Sequence, residues 1–229
     1  MGRSGCQEGT ARGRPMTAQE KRDLWASRMS CVIARIMWVI SRHWLLLANV
    51  ALGAFFALPF LAPVLSEMGH ERASGLIHTL FFPLCHQLPE RSFFLFGPRW
   101  VYSRSELVTL VGAPVSLRYA GEALIGHKAA VCQRCAALYG GWFLFGVFFG
   151  LVRHKAQPLG IRSFLALLVP MAIDGLGQFV GLWASTVVSR IITGMFFGLA
   201  VVWLTYPYLE VGMRDMHREA HSMILGERA

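Results

Sequence analysis

Five cysteines in 229 residues are too few for a disulfide scaffold, so each must be weighed by its neighbours. Cys132 and Cys135 form a C-x-x-C pair, and Cys85 stands beside His86. Three thiols and one imidazole are the donors of a tetrahedral zinc-type or other soft-metal site. An adjacent Cys and His can both ligate only from a loop, which Pro83 and Pro89 supply. Three cysteines with Asp174 are a second possible ligand set. Arg134, between the paired cysteines, and a helix N-terminus would both favour thiolate. The same pair fits two other chemistries. One is thiol–disulfide exchange, in which a lowered thiol pKa activates attack on a disulfide. The other is a single structural disulfide between two of the three thiols, Cys85 included, in an oxidising compartment. Cys6 and Cys31 lie far earlier in the chain.

The elements that must position these groups are membrane spans. Only 15% of the residues are charged, against about 25% in a soluble domain, and the deficit is concentrated in long charge-free runs. The expected fold class is an all-α membrane protein with about four transmembrane helices and an extracytoplasmic segment between spans 1 and 2. Residues 1–43 read as a basic cytoplasmic tail, mobile over 1–28, with an interfacial helix over 29–43 that Arg35 and Arg42 keep out of the bilayer. Span 1 is 44–66, where Pro59 and Pro63 should bend or end its outer part. The stretch lacks the small-residue cleavage site of a signal peptide and reads as a retained anchor. Residues 67–130 form the extracytoplasmic segment, with a short helix over GLIHTLFFPLCHQL, another over WVYSRSELVTL, and a hairpin around Gly121. Spans 2 to 4 occupy 131–208, at about 131–152, 163–183 and 186–208. Residues 209–229 form a second cytoplasmic tail.

Eight Lys/Arg against three acids through His43, and a connection RHKAQPLGIR with bases only, put both regions in the cytoplasm by the positive-inside rule. An even number of spans returns the C-terminus there. The net charge of +9 flanks apolar spans and forms no basic domain, which excludes nucleic acid as a partner. The expected setting is a bacterial cytoplasmic (inner) membrane, with the lipid bilayer and a larger membrane complex as partners. Gly146/Gly150, Gly177/Gly181 and Gly194/Gly198 have the spacing that lets helices approach closely in lipid.

With this orientation Cys85, His86, Cys132, Cys135, Asp174, Gln178 and Arg190 fall at one depth, in or above the outer leaflet. Asp174 inside a span is costly to bury. It is either a ligand or proton acceptor, or it pairs with Arg190 while Gln178 takes up remaining hydrogen bonds, Arg134 being part of the same polar network. His78, two helical turns before Cys85, reads as an interfacial histidine. The aromatic runs FFLFG and WFLFGVFFG read as lipid-facing or packed surface.

CHQLPERSFFLFG, VCQRCAALYGG, PMAIDGLGQFVGL and STVVSRIITGMFFG, in that order, resemble the signature of a domain-of-unknown-function family of membrane proteins, number 2085. The resemblance covers roughly Leu84 to Gly198. It departs at Ala136–Ala137, where many members have Thr-Gly, and in a longer link between Gly97 and Cys132, a candidate partner surface. The family name brings no activity with it. No phosphate-binding glycine loop, serine nucleophile motif or H-E-x-x-H occurs. The residues leave three readings open. The first is an accessory protein, not an enzyme, holding a transition metal (zinc or another soft ion) through Cys85, His86, Cys132 and Cys135. The second is a quinone-linked thiol oxidoreductase using Cys132 and Cys135. The third is a structural membrane subunit with one disulfide.

Overall fold

The structure is a computed structural model that describes residues 17–116 and 119–226. Four of its helices are long and apolar enough to cross a membrane: α1 (Ala18–Glu67), α4 (Gln133–Val152), α5 (Ile161–Phe179) and α6 (Val187–Leu225). Between α1 and α4 the chain forms α2 (Glu71–Phe81), a 3₁₀ turn (Pro89–Arg91), β1 (Ser92–Leu95), α3 (Arg104–Val111), β2 (Gly121–Glu122) and β3 (Gly126–Cys132). The three strands make one antiparallel sheet in the order β1-β3-β2.

Several boundaries differ from those expected. The interfacial helix and span 1 are one continuous helix, which begins at Ala18 within the stretch read as a mobile tail; residues 1–16 lie outside the described residues. Charged residues end the hydrophobic run without ending the helix, because Lys, Arg, Glu and Gln are good helix formers. Pro59 and Pro63 sit inside the helix, which continues to Glu67. Likewise α6 runs past Pro207 to Leu225 and absorbs most of the expected tail. By contrast α5 stops four residues early, at Phe179. Gly181 takes φ +82°, the left-handed conformation that ends helices, and Leu182 N–H donates to the Gly177 carbonyl at 2.9 Å. Gly181 is thus a stop signal rather than a packing residue, and the Trp183 indole folds back against Gly177.

The chain divides into two units. The first comprises residues 1–48 and 207–229. In it Trp44 Nε1 donates to Glu210 at 2.9 Å, and His217 stacks on Trp38 with ring centroids 5.4 Å apart.

The second unit, residues 49–206, holds all the candidate site residues. Here α4 and α6 meet backbone to backbone, so a Cβ at Gly194 would lie 2.6 Å from the Arg134 carbonyl oxygen and one at Gly198 2.7 Å from Trp142 N. The glycine spacing on α6 therefore does what lipid packing asks of it. One buried cluster joins Ala62, Ile77, Phe81, Cys85, Ala130, Val131 and Ala136, with Phe55 and Tyr139 packed against it. The FFLFG run, read as apolar surface, supplies β1. Phe94 is fully buried with Tyr102, Leu107 and Ile125 in a second cluster. The expected hairpin is present as β2–β3, and Gly126 at φ +91° makes its turn.

Candidate functional site

The thiols are assembled by three different pieces of backbone. Cys85 lies in the loop after α2, where its N–H donates to the Phe81 carbonyl at 2.9 Å. Cys132 ends β3, opposite Ser92 of β1, and is also the N-cap of α4. Cys135 sits in the first turn of that helix. The Sγ atoms of all three lie within 4.8 Å of one another, all three are free thiols, and the Cys132 N–H points at Cys85 Sγ at 3.2 Å. Hydrogen bonding to Cys132, then burial, pushes the Cys85 thiol above its ordinary range. Bonds from Cys135 and Cys85 hold Cys132 below that range, so negative charge on the triangle favours the sulfur at the helix threshold.

His86 is not in the triangle. Cys85 is buried while His86 is exposed, and His86 lines the adjoining cavity instead. The loop is clamped by residues that pattern reading passed over. Gln87, at φ +51°, donates to the His78 carbonyl at 2.6 Å and meets His78 Nδ1 at 2.9 Å. Lys128 Nζ donates to the Gln87 carbonyl at 2.9 Å. Burial, the main cause, lowers the Lys128 pKa to about 8 and also lowers that of His78. Lysine in the strand GHKAAV, flanked by apolar residues on a buried strand, was the available signal.

The polar network below the thiols is wired differently from the expected pairing. Asp174 forms its ion pair with Arg134, not Arg190. Ser185 and Ser189 donate to its two oxygens at 2.8 and 2.7 Å. Both oxygens of the carboxylate are thus engaged, and it is not grouped with the three sulfurs. Arg190 donates to Gln133 at 2.9 Å, and Gln178 accepts from Arg91 at 2.9 Å. Helix azimuth decides these partners: Gln133 and Arg134, adjacent on α4, take one partner each from α6 and α5.

A cavity of about 550 Å³ opens beside the triangle, lined by all three cysteines, His86, Arg91, Arg134, Gln178 and Arg190, and by an apolar wall including Leu138, Met171 and Phe179.

The sequence profile of a family described as predicted membrane protein (DUF2085) matches residues 123–204, the stretch holding the C-x-x-C pair, Asp174 and Arg190. An uncharacterized protein of Methanothermobacter thermautotrophicus is 34% identical over 80 residues, 35% of this chain and 72% of that protein. The chain belongs to the DUF2085 family. An uncharacterized protein of Methanocaldococcus jannaschii is 27% identical over 174 residues, 72% of this chain and 92% of that protein. Both relatives of this DUF2085 protein are archaeal, whereas the sequence reading pointed to a bacterial inner membrane. No solved structure matches the chain.

Proposed function

We propose that this membrane protein binds a soft transition-metal ion through Cys85, Cys132 and Cys135. The observation that carries the reading is the convergence of three free thiols within 4.8 Å. A tetrahedral zinc thiolate with bonds of about 2.3 Å sets its sulfurs about 3.8 Å apart, so a small closure of the triangle completes the ligand set. The fourth position faces the cavity, where His86 is the imidazole on the wall. Three protein ligands with an open position suit an ion that is exchanged or passed on. The setting is the outer face of a cytoplasmic membrane with both termini inside, and the role is that of an accessory subunit in a larger membrane complex. Elemental analysis of the purified protein in detergent tests this. One metal per chain is expected, falling below about one tenth in Cys132→Ser and Cys135→Ser. Metal content that is low and indifferent to these substitutions sinks the reading.

A second reading, a quinone-linked thiol oxidoreductase, is favoured by the apolar wall that the thiols share. In that reaction Cys132 and Cys135 form an S–S bond, and the two electrons and two protons released reduce a quinone to its quinol. It predicts loss of alkylation at both thiols when oxidised quinone is supplied. Full alkylation under those conditions excludes it. Non-reducing mass mapping of the three cysteines separates both readings from a structural subunit, which would carry one permanent disulfide.

A further inference from the structure

The cavity carries more positive charge than the thiols explain. Arg91 from the 3₁₀ turn, Arg134 from the first turn of α4 and Arg190 from the first turn of α6 all line it. Neighbouring guanidiniums repel, and burying each without an acid is costly. Asp174 neutralises Arg134. Arg91 and Arg190 have neutral amide oxygens as partners, on Gln178 and Gln133, and among the described residues neither makes an ion pair. Arg190 is only 8% exposed, and its Nε, like that of Arg134, is buried without a hydrogen-bond partner. Three guanidiniums against one carboxylate and the thiolate favoured at Cys132 leave the space with a cationic excess, and two Nε donors beside it have no partner.

The remaining wall narrows the class of ligand. Leu84, Leu88, Leu138, Met171 and Phe179 are apolar, and Phe179 and Leu84 are 90% and 53% exposed, so the lining continues into exposed apolar surface. A small hydrated anion would satisfy the guanidiniums and leave that wall uncovered. An amphiphile satisfies both parts.

We infer that the cavity binds a phosphate-bearing amphiphile, its head group held by Arg91 and Arg190 and its apolar portion lying along Leu84, Leu138 and Phe179. The guanidinium fork matches phosphate oxygens in bidentate fashion, which neither amide partner can replace. This site does not depend on a metal at the thiols.

The test uses the full chain in a non-ionic detergent, as purified and after stripping with a chelator. Titration calorimetry with dihexanoyl phosphatidic acid is compared with dihexanoyl phosphatidylcholine and with inorganic phosphate. The expected result is saturable binding of the phosphatidic acid that survives stripping, at least tenfold tighter than either comparison ligand. Arg190→Gln touches a buried network and can impair folding, so Arg91→Gln, on a half-buried turn, is the deciding variant; it is expected to weaken binding at least tenfold. Inorganic phosphate binding as tightly overturns the amphiphile. Loss of binding on stripping, an unchanged affinity in Arg91→Gln, or no binding at all overturns the site.

Discussion

Two parts of the second unit are built on opposite terms. The lobe formed by β1, α3 and the β2–β3 hairpin closes over an aromatic core, with Phe94 and Tyr102 edge to face at 5.2 Å. The Tyr102 hydroxyl donates to the Ile125 carbonyl at 3.1 Å. Ser103 and Glu106 complete a capping box on α3, and Arg99 finds Glu106. The thiol cavity has the reverse character: three guanidiniums line an open volume, only Arg134 has a carboxylate partner, and two of the Nε donors are buried without a hydrogen-bond partner. The lobe satisfies most of its polar groups locally, the buried Tyr119 hydroxyl excepted. Around the cavity the buried Nε donors of Arg134 and Arg190 have no partner, the feature on which the proposed ligand site rests.

That contrast can be broken in order of expected effect. Asp174→Ala should be the most damaging, by about 3 kcal/mol or more, because it strands Arg134 as a buried unpaired charge. Chemical denaturation in detergent reads it, and the Asp174→Ala/Arg134→Leu double variant should regain most of the loss. A neutral Asp174→Ala would show that the cavity tolerates a third free cation. Gly126→Val should cost about 2–3 kcal/mol, since φ is +91° and a Cβ would lie 2.5 Å from the Leu95 carbonyl oxygen. Its damage should be confined to the aromatic lobe, with faster amide exchange in β1 and β3 and little change in α5 and α6. Tyr102→Phe should cost only about 1 kcal/mol, one buried hydrogen bond in a lobe otherwise unaltered. A larger loss by thermal unfolding would mean the lobe is held by fewer contacts than its packing implies.

The sequence displayed what the bilayer dictates and hid what tertiary packing dictates. Charge-free runs located all four spans, and Gly121 marked the hairpin. The lengths of α1 and α6 were hidden because a helix outside the membrane is signalled by propensity, while the eye follows hydropathy. β1 was hidden because SFFL lacks the alternation that marks a half-buried strand. At the site, spacing placed Cys132 and Cys135 on one helical turn and depth brought Cys85 level with them. Pairing at that depth was beyond reach: Asp174 and Arg190 are close enough in sequence to suggest a hairpin lock, yet helix rotation gives Asp174 to Arg134. Lys128 and Gln87, which fix the Cys85 loop, were masked by an apolar strand and by the more conspicuous neighbour His86.

Cys132 has a double allegiance: it is the last residue of a strand and the threshold of a membrane helix. Cys135 moves only with the helix, and Cys85 only with the loop that Gln87 and Lys128 anchor to that strand. The three sulfurs therefore ride on two pieces of structure that meet at Cys132. Tilting the sheet by a fraction of an ångström relative to α4 lengthens one edge of the triangle and spares the others. If the sulfurs hold an ion as proposed, a force applied to the β-lobe would loosen or tighten that grip without touching it.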